Sequence, residues 1–182
     1  YINDTNRGYP QAIAEGNGFQ KALKSHSFDF SDYEVLWQEY CQDTRVILIA
    51  LQRDDLPTWL LHHLKKLNAN GWTIILRPHP GLNNSKVISN LPNIGALLKL
   101  KGIYLYEFES IPLFYLLSKV ELLIAGKSTT LIEACLFSLN SIIIVSDGLE
   151  YFKEQLDKGC ILLGYTDELF KCAIAKLTFL DD

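Results

Sequence analysis

From residue 45 onward, apolar residues along this chain alternate between two rhythms. One consists of short, nearly unbroken apolar runs: RVILIAL (45–51), WTIILRP (72–78), IYLYE (103–107), VELLIAG (120–126), SIIIVSDG (141–148) and CILLG (160–164). Runs of this kind, bounded by turn residues, predict strands buried on both faces. Between them the apolar positions fall three and four apart. Leu60, Leu61, Leu64 and Leu67 predict a helix that stops at Gly71. The segment 84–101 predicts one or two helices, interrupted at Pro92. Residues 111–119 predict a helix with Pro112 in its first turn. Residues 128–139 predict another, with Ser128 as a natural N-cap, and residues 149–159 a further one. A closing helix covers 166–180. Thr166 is its N-cap, and Asp167 and Glu168 place negative charge in the first turn, where the helix dipole favours it.

Six strands alternating with helices predict an α/β fold: a single Rossmann-like, doubly wound domain with six parallel strands and helices on both faces. Right-handed crossovers leave few topologies. The order 3-2-1-4-5-6 is preferred over the flavodoxin-like order, and it puts the switch point between the first and fourth strands. Residues 1–44 read differently. A Gly- and Asn-rich linker precedes a short amphipathic helix at 32–42, so the domain proper is expected at 45–182.

Composition narrows the class. The chain has 182 residues, 48% of them hydrophobic and 21% charged, enough to bury a core without disulfides. A net charge of −4, from 17 basic and 21 acidic side chains, argues against a nucleic-acid partner but not against a nucleotide. The four cysteines, Cys41, Cys135, Cys160 and Cys172, include no C-x-x-C pair, and no metal site is expected. No signal peptide or run of eighteen apolar residues appears, which points to a cytoplasmic protein. The chain begins with Tyr1 and contains no methionine, which suggests a piece of a longer polypeptide.

In such a sheet, ligands bind outside the carboxyl ends of the strands. The corresponding loops are Gln52-Arg53-Asp54-Asp55, Arg77-Pro78-His79-Pro80-Gly81, Glu107-Phe108-Glu109-Ser110, Gly126-Lys127-Ser128-Thr129-Thr130 and Ser146-Asp147-Gly148. The GKSTT turn opens a helix. Its amides and the hydroxyls of Ser128, Thr129 and Thr130 predict an anion site, against the plainer alternative of a capped helix with a solvated lysine. It is not a P-loop, because the first glycine of that motif is replaced by Glu121. Glu133, about one turn into the helix, is placed to accept hydrogen bonds from ribose hydroxyls, or else serves the helix dipole. His79 has three readings: a loop residue without a role, an acid–base catalyst, or a donor to a phosphate or sugar oxygen. Pro78 and Pro80 limit its backbone in every case. Arg53, beside the switch point, and Arg77 are candidate cations, each equally able to pair with a nearby acid.

The motifs together resemble those of GT-B-type bacterial surface-polysaccharide transferases. That group includes capsule-synthesis enzymes, sialyl- and polysialyltransferases and CDP-glycerol glycerophosphotransferases. LRPHP (76–80) resembles their HP motif, and LLIAGKSTTLIEACLFSLNSIII (122–144) their serine/threonine signature; GYP (8–10) resembles a segment with which their second domain often begins. The chain departs at Leu139-Asn140-Ser141, where the family usually has Gly and Pro, and at Val120-Glu121, where it usually has Ala-Asp. The resemblance implies a C-terminal, donor-binding half that passes a sugar or polyol phosphate from a nucleotide to a cell-surface polysaccharide. It implies His79 at the donor phosphate or ribose, and as the catalytic candidate. Ser128 and Thr129 would then hold the donor phosphate with the helix amides, Glu133 would bind the ribose, and the loop Glu107–Ser110, with Glu107 and Phe108, would lie against the base. Arg53 and Thr130, placed at the same edge by the loop reading, complete the donor-binding candidates. It further implies a nucleotide-activated donor as substrate, with no separate cofactor. The glycan acceptor would be bound by an N-terminal domain, without which this half would be inactive. A location at the inner face of the membrane fits a full-length enzyme of this kind. Two alternatives share the architecture: a non-hydrolysing nucleotide-sugar 2-epimerase and a non-catalytic interaction module.

Overall fold

A computed structural model describes residues 30–52, 54–79 and 85–178. Within them the chain runs α1 (Ser31–Cys41), β1 (Arg45–Leu51), α2 (Thr58–Ala69), β2 (Trp72–Pro78), α3 (Ser85–Ser89), α4 (Pro92–Leu97) and β3 (Ile103–Tyr104). It continues with α5 (Leu113–Leu117), β4 (Leu122–Ala125), α6 (Thr130–Leu136) and β5 (Asn140–Ile143). A 3-10 turn (Leu149–Phe152), α7 (Lys153–Asp157), β6 (Ile161–Leu163) and α8 (Asp167–Thr178) complete it. The described strands form one parallel six-stranded sheet in the order β3-β2-β1-β4-β5-β6. This is the predicted order, and the switch point lies between β1 and β4.

Alternation along the strands explains why helices cover both faces. Val46, Leu48, Ile75, Leu123 and Ile143 point into one apolar layer, with α1, α5 and α6. Ile47, Ile49, Ile74, Leu76, Leu122, Ile124 and Ile142 point into the other, with α2, α4 and α8. Neither face of the sheet is left wet, as a parallel sheet requires. The short leading helix α1 is part of the first layer. Its Trp37 and Cys41 are buried, and Trp37 meets Phe108 and Tyr115 edge-on at 6.4 Å between ring centres. Its Glu34 accepts hydrogen bonds from Lys119 Nζ at 2.7 Å and Tyr115 Oη at 2.8 Å. The Gly- and Asn-rich linker predicted ahead of this helix, with its GYP segment (8–10), lies outside the described residues.

β1 and β2 occupy the predicted residues, whereas several later elements are shorter. The third strand closes after Tyr104, because the chain turns into a loop that buries Leu105 in the second apolar layer and Phe108 in the first. The helix predicted over 128–139 spans Thr130–Leu136. Ser138 turns the chain with φ 54°, and Leu139 N–H donates to Ala134 O at 3.1 Å, so the helix ends without a glycine. Thr166 caps α8 as its spacing predicts: Leu169 N–H donates to Thr166 Oγ1 at 3.2 Å. Among the described residues, no helix is long and apolar enough to cross a membrane.

Candidate functional site at the sheet switch point

The parallel register puts the chemistry-bearing loops on one edge. Ala50 lies level with Arg77 on one side and Ala125 on the other. His79 therefore stands just beyond β2, and Ser128 just beyond β4, with β1 between them. Strands lie about 4.8 Å apart, so the two loops leave β2 and β4 roughly 10 Å apart, with the switch point between β1 and β4. Gly126 floors this gap. A Cβ there would stand 3.4 Å from Gln52 Cγ, after β1, and 3.5 Å from a methyl of Val145, after β5.

The turn after β4 is largely self-satisfied. Ser128 N–H donates to Gly126 O at 2.9 Å, Thr130 N–H to Ser128 Oγ at 3.3 Å, and Leu131 N–H to Ser128 O at 3.2 Å. Ser128 Oγ also donates to Thr130 Oγ1 at 3.0 Å, and Thr130 is buried. The N-cap position falls on Thr129 rather than Ser128, although it is the Ser128 hydroxyl that takes an amide. These bonds occupy most of the donors expected of a helix N-terminus. The exposed Thr129, with its hydroxyl and N–H, remains the open donor of the turn. At seven residues, α6 is also shorter than the helix the sequence predicts.

Glu133 sits in the first turn of α6, half-buried, and its carboxylate has no hydrogen-bond partner among the described residues. Burial pushes its pKa above the ordinary carboxylate value, because desolvation disfavours the charged form. A half-buried carboxylate without a protein donor suits the hydroxyl pair of a sugar. His79 is exposed at the end of β2. Pro80 and the rest of that loop to residue 84, like Arg53 after β1, lie outside the described residues.

The loop after β3 corrects part of the expected site. Phe108 is 1% exposed and packs against Trp37, Tyr40 and Tyr104, so its ring belongs to the core and does not face a base. Tyr106 carries the exposed ring of this loop. Glu107 is exposed, and its carboxylate accepts the Leu105 N–H at 3.3 Å. Arg77 is half-buried and donates from Nη1 to Ile111 O at 2.6 Å, which ties the end of β2 to this loop. Burial lowers its pKa, yet a guanidinium stays charged at any ordinary pH. Asp55 also has a structural role that its position in the sequence did not reveal. Its carboxylate accepts the N–H groups of Asn93 at 2.8 Å and Ile94 at 3.2 Å, capping α4 from the loop after β1.

A cavity of about 310 Å³ opens at the opposite, amino-terminal edge of the sheet. Apart from the Arg45–Glu121 ion pair and a few small polar groups, its walls are apolar, including Trp72, Phe137, Leu139 and Leu177. It gathers no set of donors for an anion, and we place the candidate site at the switch point. Among the described residues, no three His, Cys, Asp or Glu side chains come together as a metal site.

Similar architecture occurs in solved structures. The fold resembles that of UDP-GlcNAc 2-epimerases. The enzyme from Methanocaldococcus jannaschii, solved in complex with UDP-GlcNAc and UDP, superposes with a TM-score of 0.62 at 16% identity, over 91% of this chain and 46% of its own. The enzyme from Neisseria meningitidis, bound to UDP-GlcNAc, gives 0.61 at 18% identity, over 91% of this chain and 44% of its own. The chain thus spans less than half the length of these epimerases, and the likeness establishes a GT-B-like Rossmann fold. No protein-family model matches the sequence, and no curated protein matches it.

Proposed function

We propose that this chain is the nucleotide-sugar-binding domain of a GT-B-type enzyme, with the nucleotide diphosphate held across the β1/β4 switch point. One observation carries the reading. His79, the Ser128–Thr130 turn and the unpartnered carboxylate of Glu133 stand on the same sheet edge, around the gap floored by Gly126. Thr129 donates to a phosphate oxygen, and His79 donates to a phosphate or ribose oxygen from a backbone that Pro78 and Pro80 constrain. Glu133 accepts from the ribose hydroxyls. In this reading His79 is a binding donor rather than a base. The work of the edge is to stabilise negative charge on the departing diphosphate.

The full enzyme is proposed to transfer the sugar to a cell-surface polysaccharide, with a second domain holding the acceptor. The HP and serine/threonine motifs support that assignment. Non-hydrolysing epimerisation is the second reading, favoured by the architecture shared with UDP-GlcNAc 2-epimerases. Calorimetric titration with UDP-, CDP-, CMP- and GDP-linked sugars tests the binding; if none binds, the proposal fails. NMR analysis of products from the full-length enzyme separates the two reactions, because epimerisation proceeds without an acceptor.

A further inference from the structure

The site as described is short of positive charge. The amides at the start of α6 are mostly bonded within the turn, and Arg77 already donates to Ile111 O. A diphosphate needs a cation that is free to move to it. Lys127 stands between Gly126 and Ser128, at the switch point itself, and is exposed. None of the ion pairs among the described residues involves it. Its ammonium instead rests 4.5 Å from the ring centre of Tyr151, which is 66% exposed on the turn after β5. The stem crosses Gly148, where a Cβ would come within 2.7 Å of Lys127 Cε and 2.8 Å of Cδ. Gly148 has φ +77°, so this position favours glycine for its backbone as well as for the space.

We propose that Lys127 is the cation that meets the diphosphate, and that Tyr151 and Gly148 hold it aside in the free protein. The proposal rests on the nucleotide-binding reading above and adds a specificity-determining residue to it. The contact with Tyr151 is solvent-exposed and therefore weak. An oxyanion on Thr129 offers the ammonium a full opposite charge, and the lysine stem has the rotatable bonds to swing to it. The ring thus keeps the ammonium beside the crevice without neutralising it, as a carboxylate partner would.

The test uses the 182-residue chain with inorganic pyrophosphate, UDP and uridine as probes, read by calorimetry, and by NMR of the Lys127 ε-protons. In the free protein those protons shift upfield in the ring current of Tyr151, and saturating pyrophosphate removes the shift. Lys127→Gln weakens pyrophosphate and UDP about ten-fold or more, as for a lost hydrogen bond to a charged group, and leaves uridine unchanged. Lys127→Arg keeps most of the affinity. Tyr151→Leu tightens pyrophosphate about two- to five-fold, the equilibrium counterpart of one exposed cation–π contact. If UDP binds and Lys127→Gln binds it equally well, the lysine proposal falls while the nucleotide reading stands. If pyrophosphate binds through Lys127 but UDP binds no better, the cation stands and the nucleotide reading falls. If neither ligand binds the wild-type chain, both fall.

Discussion

At the turn after β4, three neighbouring hydroxyls divide into two kinds. Ser128 and Thr130 are bonded to each other, and Ser128 also takes the Thr130 amide, whereas Thr129 is exposed and bonds to neither. Ser128→Ala should cost about 1 kcal/mol of stability, the usual loss for a capping hydroxyl, and should weaken nucleotide binding as well. Thr129→Ala should leave stability within about 0.5 kcal/mol, as for an exposed site, while weakening the diphosphate contact. Urea denaturation and calorimetry on the same two variants separate these effects; full nucleotide affinity in Thr129→Ala would remove that residue from the site. Glu133 gives a pH signature. Its carboxyl titrates above the ordinary value because it is half-buried, and only the ionised form accepts two ribose hydroxyls. Nucleoside affinity should therefore fall on acidification, at a higher pH than an unshifted glutamate would give, and Glu133→Gln should bind more weakly with that dependence gone. A profile unchanged by Glu133→Gln would contradict the ribose role. Much of this was legible in the sequence, since strand ends mark which loops reach the ligand edge. What was not legible is where each side chain turns once there: Phe108 goes inward, Ser128 bonds to its own turn, and Lys127 crosses to the next loop.

Among the elements, α1 tests how much of the domain lies ahead of β1. Its Trp37 fills the layer over Phe108 and Tyr115, so Trp37→Ala should destabilise the fold by about 3–5 kcal/mol, the range for deleting a buried large aromatic. A loss within experimental error would make α1 an appendage. Its polar tie is pH-dependent in a defined direction. The hydrogen bond from Lys119, with those from Gln38 and Tyr115, lowers the Glu34 pKa from 4.5 to about 2. A carboxyl depressed in the folded state stabilises fully above its unfolded value and loses that contribution as pH falls toward the folded value. Glu34→Gln should thus be less stable than wild type at neutral pH. The difference should stay below about 1 kcal/mol, because the pair is solvent-screened, and it should vanish between pH 4.5 and about 2. The strands and their order followed from apolar runs, because a strand buried on both faces admits few polar residues. Helix lengths followed less well. The end of α6 is set by the backbone turn at Ser138, and the segment after β5 begins as a 3-10 turn, neither of which carries a glycine or proline stop inside it. In the sequence α1 reads as a lead-in, because its amphipathic pattern does not say which body it packs on.

Over the whole domain, the two apolar layers meet through β1 and β4, the strands that border the switch point. A ligand bridging the ends of these strands contacts the part of the sheet held from both faces, so its binding should be linked to global unfolding rather than to the fraying of one loop. Ligand at a hundred-fold excess over its Kd adds about 2.7 kcal/mol to the stability of the state that binds it. For a domain of this size each kcal/mol raises Tm by roughly 2–4 °C, so a bound nucleotide sugar should raise Tm by about 5–10 °C. The rise should track the diphosphate, with UDP well above uridine at equal concentration, because charged groups make most of the proposed contacts. Ser128→Ala and Lys127→Gln should each shrink it, whereas substitution at the opposite edge, such as Asn140→Ser, should not. A single unfolding transition that moves as a unit with UDP is the outcome this architecture requires. A transition unmoved by any nucleotide, in a chain that is otherwise folded, would leave the sheet intact and the proposed site without its ligand.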